Sequence, residues 1–283
     1  MKKNGFIVAL LVGMMVCMAG TSVAGQTVLE DILLAGKIKV STDANYAPQS
    51  YLNDKGELEG FDISVAREMA KRLGVEVEFI TPDWDLITAG KWGKRWDVSI
   101  GSMTPTAERK QALLFTMPYY SSPAQFAVHK KNTTIKTLSD LAGKKIGIAT
   151  ETTNERYLQR DLKIEDVKIV YQTWKPGELK TYPTDANHIE DLSLGDGARL
   201  DAVFTSRQTL AEAIQSGCGS GCPLKMLGEP PYYEPLCFAL DKSRSNSETL
   251  LTKLNDILKE MYADGTLVKL SMRFYKTNLI PNL

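Results

Sequence analysis

The amino-acid sequence predicts an α/β protein made of two lobes, and three observations support this prediction. The chain has 283 residues, and about 258 remain after a 25-residue leader, more than the roughly 100 to 150 of one ordinary domain. Alternating strand and helix patterns occur in two series, which favours a parallel sheet in each lobe. Two extended apolar runs, PAQFAVHKK at 123–131 and YYEPLCFALDK at 232–242, are suited to connect the lobes.

The leader has the pattern of a secretory signal peptide. Two lysines precede an apolar run from Phe6 to Ala19, and the small residues of TSVAG follow it. The run is shorter than the roughly 20 residues that span a bilayer. We therefore expect cleavage near Ala24 or Gly25 and a periplasmic or otherwise extracytoplasmic protein. A lipid anchor at Cys17 is the alternative, although MMVC lacks the small residues expected before a lipidated cysteine.

The charge balance argues against a polyanionic partner. The chain has 34 basic and 34 acidic residues, and loss of two lysines with the leader leaves 32 against 34. Its pI is about 6.8, whereas a nucleic-acid-binding domain typically has a value above about 9. We expect no nucleic-acid partner, and charges spread over solvated faces.

Three cysteines remain after the leader. An oxidising compartment permits Cys218 to pair with Cys222 across GSG, and we predict this disulfide. The competing interpretation is a metal clip, but two thiols without a nearby histidine are half of a zinc site, so we predict no metal and no cofactor. Cys237 lies in the apolar run LCFAL and is predicted to be a buried free thiol.

The first strand–helix series begins at residue 38. Ile38 to Ser41 is predicted as a strand and Asp62 to Leu73 as a helix, because the apolar residues of the second segment recur every three or four positions. Asp62 is suited to cap this helix and Gly74 to end it. The remaining elements of the series are a strand at 75–80, a short helix after Asp83 and a strand at 97–100.

The second series begins at Lys144 with the strand KKIGIAT. Its further predicted elements are a helix from Thr152 or Thr153 to about Leu162, a strand at 167–171, the strand LDAVFT and a helix through Ile214. The intervening stretch TYPTDANHIEDLSLGDGA at 181–198 is polar and rich in turn-forming residues.

The C-terminal helices are predicted at 247–264 and 266–275, and Ser245 and Glu248 could form a capping box for the first of them. Because two runs cross between the lobes, these helices should return to the first lobe. We predict that lobe 1 comprises 26–122 and 234–283 and that lobe 2 comprises 123–233.

The segment SMTPTAER carries the side chains that recognise a carboxylate. A strand ending at Gly101 delivers the hydroxyls of Ser102 and Thr104 and, a few residues later, Arg109. The planar guanidinium meets two carboxylate oxygens at once, and hydroxyls fill the remaining lone pairs. The alternative is a surface ion pair, which is common for an arginine after a strand.

The segment IATETTNERYL places Thr152 and Thr153 where a strand turns into a helix. Helix N-termini have unpaired amides and bind anions, and a threonine hydroxyl adds a donor. The alternative is that one of these threonines only caps its own helix.

Seven segments resemble, in the same order, the polar amino-acid family of bacterial extracellular solute-binding proteins, the receptors of ATP-driven importers. They cover nearly the whole mature chain, and they are TDANYAP at 42–48, GELEGFDISVAREMAKRLG at 56–74, SMTPTAER at 102–109, FTMPYY at 115–120, GKKIGIATETTNERYL at 143–158, LDAVF at 200–204 and ADGTL at 263–267. The resemblance implies two Rossmann-like lobes joined by two crossing hinge strands, the type II periplasmic-binding-protein fold. It also implies an ABC permease as membrane partner, and we expect a monomer.

By this resemblance Arg109 holds the ligand carboxylate with Ser102 and Thr104 from one lobe and Thr153 from the other. The further implied ligand contacts are Tyr46 and Trp84 in the wall and Asp43 facing a side-chain cation. Alternatives are a packed aromatic core and a turn-capping aspartate.

One departure concerns the ligand's ammonium group. Relatives usually place an aspartate after the DAVF-like strand, where this chain has Ser206. A buried ammonium without a countercharge is unfavourable. Either another acid replaces the aspartate, with Glu234 preferred over Asp185, or the ligand lacks an α-ammonium.

We therefore predict a receptor that captures an amino acid or a related small carboxylate as its lobes close, without acting on it chemically. His129 and His188 have no recognisable nucleophile or metal partner in the sequence. The alternative is an enzyme resembling prephenate or cyclohexadienyl dehydratases, with Glu234 as the proton donor.

Overall fold

A computed structural model of the protein describes residues 27–216 and 222–282. The described helices are α1 Val28–Ala35, α2 Phe61–Leu73, α3 Trp84–Thr88, α4 Arg109–Ala112, α5 Thr153–Gln159, α6 Asp185–Ser193, α7 Arg207–Ser216, α8 Glu248–Ala263 and α9 Thr266–Tyr275. The strands are β1 Lys37–Ser41, β2 Asn45–Tyr46, β3 Ser50–Leu52, β4 Leu58–Glu59, β5 Glu76–Ile80, β6 Val98–Met103, β7 Leu113–His129, β8 Lys145–Ala149, β9 Glu178–Tyr182, β10 Ala202–Ser206, β11 Leu224–Leu227 and β12 Tyr233–Asp241. The predicted signal peptide with Cys17 lies outside the described residues, and so does Cys218, so the disulfide to Cys222 stays a prediction.

Most of these strands follow one another in the order β5-β1-β6-β12-β7-β10-β8-β9, and β11 also pairs with β7. The outer pairs β1–β5, β1–β6, β8–β9 and β8–β10 are parallel, as predicted. The central pairs are antiparallel, because β12 runs against both β6 and β7. The parallel sheets therefore lie on either side of two long antiparallel strands.

Strand β7 is continuous over 17 residues and belongs to both halves of the sheet. Its first part pairs with β12, from Leu113 opposite Asp241 to Pro123 opposite Tyr233. Its second part pairs with β10, from Ala124 opposite Ser206 to Val128 opposite Ala202. Both extended runs identified in the sequence, PAQFAVHKK and YYEPLCFALDK, thus lie on the strands that connect the two halves.

The buried apolar residues fall into separate clusters on the two sides of this connection. Two clusters draw on residues between 28 and 120 and between 236 and 280. Two others draw on residues between 124 and 232. Helices α8 and α9 pack against α2 in the first group, so the C-terminal helices rejoin the N-terminal half as expected.

Helix α2 begins one residue earlier than predicted, and Asp62 does not cap it. Gly60 is the N-cap, and the first helical N–H groups donate to loop carbonyls: Phe61 to Pro48 O at 3.1 Å and Asp62 to Gln49 O at 2.8 Å. These bonds replace a side-chain cap and leave the Asp62 carboxylate for other partners. The predicted C-cap is confirmed, since Gly74 has a φ of 79°.

Three sequence predictions of local structure are wrong. Residues 167–171 form no strand, because β9 occupies the edge of β8 while Val167, Ile169 and Tyr171 only pack on the core. The polar stretch at 181–198 contains the end of β9 and helix α6, whose first turn is capped by the Thr184 hydroxyl. The capping box of α8 is absent, since the N-cap is Ser247 and its hydroxyl donates to Arg244 O at 2.7 Å.

Cys237 is a buried free thiol, as predicted. Trp92 and Trp96 are also buried, with ring centroids 5.3 Å apart. None of the helices in the described part of the chain is long and apolar enough to cross a membrane.

Replacing Gly60 with alanine should destabilise the fold through a collision at the start of α2. Gly60 has a φ of 131°, and a Cβ there would lie 2.3 Å from Gln49 O. Gly56→Ala is the matched control, because Gly56 also has a positive φ of 76° but no atom near the position of a Cβ. In urea unfolding, Gly60→Ala should lower the free energy of unfolding by about 2 kcal/mol more than Gly56→Ala does. Equal losses would contradict the collision.

Candidate functional site

A cavity of about 70 Å³ lies between the two halves of the molecule. A water needs roughly 10–15 Å³, so the space suits a small molecule and excludes a polymer. The structure brings all nine predicted ligand-binding residues to its wall: Asp43, Tyr46, Trp84, Ser102, Thr104, Arg109, Thr153, Ser206 and Glu234. Asp185, named from the sequence only as a substitute acid, also lines it.

The guanidinium of Arg109 is buried at the start of α4, with 8% of the residue exposed. Nη1 donates to Thr104 O at 3.1 Å, and Nη2 donates to Glu151 O at 2.7 Å across the cavity. Its carbon lies 5.2 Å from the Trp84 ring, whose Nε1 also donates to Glu151 O. Burial lowers the pKa of Arg109 to about 10, although Glu234 acts in the opposite direction.

Arg109 is therefore not a surface ion pair. Among the described residues no carboxylate lies within salt-bridge distance of it. A guanidinium has five N–H donors, and two backbone carbonyls use only part of that capacity. The remaining donors are available to an anion in the cavity.

Glu234 provides a buried carboxylate on the same cavity wall. It lies on β12 with 7% of the residue exposed, and Thr104 Oγ1 donates to its Oε2 at 2.6 Å. Burial raises the pKa of Glu234, while hydrogen bonds from Thr104 and Thr153 and the charge of Arg109 lower it. Thr104 is thus a shared contact, because its carbonyl accepts from Arg109 and its hydroxyl donates to Glu234.

The two threonines at the start of α5 have different positions. Thr152 is the N-cap, and its hydroxyl accepts from Glu155 N and donates to Ala149 O at 2.7 Å. The capping interpretation is therefore correct for Thr152. Thr153 is the first residue of the helix, is buried and lines the cavity.

Ser102 lines the cavity, but its hydroxyl already has protein partners. Ser102 Oγ donates to Asp62 Oδ2 at 2.7 Å and accepts from the Tyr120 hydroxyl at 2.7 Å. Ser102 also has a φ of 55°, in the left-handed region. Its backbone N–H is also engaged, since it donates to the Tyr119 hydroxyl at 3.0 Å.

Two aspartates face the cavity from opposite sides. Asp43 accepts from Asn45 N at 2.6 Å, so it does cap a turn. Burial raises the pKa of Asp43, and the nearby charge of Asp185 raises it further. Asp185 begins α6, and His188 Nε2 lies 2.7 Å from its Oδ1. Among the described residues that line the cavity, the acidic and basic side chains are thus three carboxylates and one guanidinium.

Ser206, at the position where relatives usually have an aspartate, forms part of a neutral contact across the cleft. Gln49 Nε2 donates to Ser206 Oγ at 3.3 Å and to Thr209 Oγ1 at 3.0 Å, and Ser206 Oγ donates to Thr209 Oγ1 at 2.7 Å. Ser206 and Gln49 are therefore two halves of one contact.

This two-lobed geometry agrees with the protein family whose model matches most of the chain. A family model for the bacterial extracellular solute-binding proteins, family 3, matches residues 38–277. The chain belongs to this family. The predicted family is confirmed.

Relatives of this solute-binding protein match it over nearly their full length. The L-cystine-binding protein TcyJ of Escherichia coli is 34% identical over 95% of this chain and 92% of its own. The ABC transporter arginine-binding protein 1 of Escherichia coli is 30% identical, over 85% and 91% respectively.

Solved structures of ancestral proteins share its fold. An ancestral arginine-binding protein bound to glutamine has a TM-score of 0.72 and 32% identity, covering 86% of this chain and 99% of its own. An ancestral amino acid-binding protein, a precursor of cyclohexadienyl dehydratase, has a TM-score of 0.74 and 31% identity, covering 88% and 100%. The predicted fold of two α/β lobes is confirmed.

Sequence reasoning missed three features of this solute-binding site and its surroundings: the contacts of Asp62, the helix that carries Asp185, and the contact between Gln49 and Ser206. Asp62 was assigned only a capping role. Asp185 lies on a helix that the polar composition concealed, although Thr184 before it is a capping residue. The contact between Gln49 and Ser206 joins residues 157 positions apart, and no local pattern could reveal it. Within the described residues no group of side chains is arranged to hold a metal ion.

Proposed function

We propose that this solute-binding protein captures an α-amino acid between its lobes and delivers it to the permease of an ABC importer. One observation carries the proposal: a buried guanidinium, that of Arg109, has free donors at a small cavity and no carboxylate partner among the described residues. Burying an unpaired charge is costly, and an anionic ligand removes that cost. The names of the relatives, which bind cystine and arginine, support an amino acid as the ligand.

The ligand carboxylate would be bound by Arg109 with help from Thr153. Both residues line the cavity, and each is more than nine-tenths buried. In a water-poor site a fork of two N–H donors to a carboxylate is among the strongest polar contacts available. Ser102 and Thr104, which also line the cavity, would complete this part of the site.

The ligand ammonium would be bound by Glu234. This side chain is the most buried carboxylate on the cavity wall, and it replaces in charge the aspartate whose position is occupied by Ser206. Bound between Arg109 and Glu234, an α-amino acid would contact a cation with its carboxylate and an anion with its ammonium.

Closure of the lobes would bend strands β7 and β12, with lobe 1 comprising 26–122 and 234–283 and lobe 2 comprising 123–233. Several contacts across the cleft join residues of lobe 1 to residues of lobe 2, as expected of two bodies that close on each other. Arg109 and Trp84 both donate to Glu151 O, Gln49 donates to Ser206, and Arg156 pairs with Glu108 at 3.0 Å. We also propose export by the N-terminal signal peptide and function as a monomer.

Arg109→Ala should reduce ligand affinity by about 100-fold or more, because a buried charged contact contributes roughly 2–5 kcal/mol to binding. Calorimetric titration with amino acids measures the affinity, and thermal unfolding of the ligand-free protein should change little. Arg95→Ala is the control, since Arg95 is exposed and remote from the cavity. A large loss of ligand-free stability without loss of affinity would assign Arg109 a structural role.

The ligand should carry a cation in its side chain, because carboxylates outnumber cationic side chains in the cavity wall. The carboxylates are those of Asp43, Asp185 and Glu234, and the cation is that of Arg109. L-arginine should therefore bind about 10-fold or more tightly than L-citrulline, its neutral isostere. Asp43→Asn should narrow this ratio, whereas Asp54→Asn, at an exposed turn, should not. Equal affinity for both ligands, by calorimetry, would refute the charge preference.

The buried carboxyl of Glu234 is also compatible with one enzymatic function. A carboxyl with a raised pKa can donate a proton, which is what a prephenate or cyclohexadienyl dehydratase requires. We propose that the protein is a receptor and not an enzyme. Incubation with prephenate or arogenate should yield no aromatic product by absorbance; turnover that Glu234→Gln abolishes would reassign the protein to the dehydratases.

A further inference from the structure

Asp62 is a fully buried carboxylate that does not line the cavity. It lies in the first turn of α2 and accepts two hydrogen bonds, from Tyr119 Oη to Oδ1 at 2.6 Å and from Ser102 Oγ to Oδ2 at 2.7 Å. The Ser102 backbone N–H donates to Tyr119 Oη at 3.0 Å, and Tyr120 Oη donates to Ser102 Oγ at 2.7 Å. Ser102 is thus held through its backbone and its side chain.

Ser102 needs this support because its backbone is strained. A φ of 55° is uncommon for a residue other than glycine, and such conformations persist only where the surroundings over-determine them. Ser102 lies near the end of β6, on the cavity wall, two residues before Thr104. A change of φ at Ser102 would reorient the chain that leads to Thr104.

Thr104 transmits any such movement to both ionic groups of the site. Its carbonyl accepts from Arg109 Nη1 at 3.1 Å, and its hydroxyl donates to Glu234 Oε2 at 2.6 Å. The backbone of Asp62 also contacts the residue that bridges the cleft. Its N–H donates to Gln49 O at 2.8 Å, and the Gln49 side chain donates to Ser206.

We propose that Asp62 is a positioning residue for ligand capture, which holds Ser102 in its left-handed conformation and thereby sets the places of Arg109 and Glu234. The proposal rests on the function proposed above, because it concerns the same cavity. Asp62 itself touches no ligand in this scheme.

The chemistry of the cluster favours a carboxylate at position 62. Two hydroxyl donors point at its two oxygens, so both oxygens must accept, which an ionised aspartate does and an asparagine does not. Burial raises the pKa of Asp62 to about 7, against the two hydrogen bonds that lower it. Tyr119 and Tyr120 from β7 and Tyr275 from α9 are its titratable neighbours, and all three are neutral below their raised pKa values. At pH 8 the carboxylate form therefore predominates.

The test is a double-mutant cycle at pH 8, with L-arginine, L-glutamine and L-cystine as calorimetric probes. Asp62→Asn puts an amide donor against one of the hydroxyls and should weaken binding of the tightest probe by about 10-fold or more. Ser102→Gly sets the reference affinity of the cycle, because glycine adopts a positive φ without support and lacks the hydroxyl that contacts Asp62. With glycine at position 102, Asp62→Asn should change affinity by less than about 3-fold.

Rescue by glycine separates positioning from general stability. Ser271→Ala is the control, because this buried hydroxyl bonds Thr277 O and Leu279 N in the same half of the molecule and should lower the unfolding midpoint without changing affinity. If Asp62→Asn does not fold, Tyr119→Phe removes the hydroxyl that bridges Ser102 and Asp62, and it should show the same loss and the same rescue.

Four outcomes decide the matter. Unchanged affinity in a folded Asp62→Asn protein would overturn the role of Asp62 while leaving the receptor function intact, and so would an equal loss from Asp62→Asn when residue 102 is glycine. Binding of none of the three probes by the wild-type protein would overturn the amino-acid function and the positioning role with it. A loss on Asp62→Asn that disappears when residue 102 is glycine supports the proposal.

Discussion

Burial of the Arg109 guanidinium is the constraint on which the site depends. A cation taken out of water must be compensated by dipoles or by an anion. The chain supplies the carbonyl oxygens of Thr104 and Glu151, one from each side of the cavity, and the face of Trp84. These partners orient the charge without neutralising it, so an anion that enters the cavity gains the contact that the protein itself leaves open.

The long strands β7 and β12 give this arrangement its architecture. Each half of the molecule has its own buried apolar clusters, and the two strands join them, which is the architecture that the proposed closure requires. Glu234 lies on β12 next to that crossing, opposite Ser122 of β7. The cavity therefore combines side chains from both halves with one carboxylate from the connection itself.

Sequence reasoning located parallel strands and the crossing runs, because each depends on a local pattern of apolar residues. The resemblance to the family, and not a local pattern, supplied Tyr46, Trp84 and Asp43 of the cavity wall. Sequence reasoning failed where tertiary contacts override local patterns. Residues 167–171 alternate like a strand, but β9 occupies the edge of β8 and Val167, Ile169 and Tyr171 only pack on the core. Asp62 looked like a cap because its position fits one, yet loop carbonyls satisfy those helix N–H groups and free the carboxylate for Ser102.

The contact between Gln49 and Ser206 is made by an amide and a hydroxyl, neither of which carries a net charge. Dissolved salt weakens the attraction between exposed ions, because its screening length shortens to about 3 Å at 1 M, but it has little effect on buried neutral dipoles. The partly exposed pair formed by Arg156 and Glu108 should therefore weaken in brine. The contact between Gln49 and Ser206 should persist there, so salt would act unevenly on the contacts that join the two sides of the cleft.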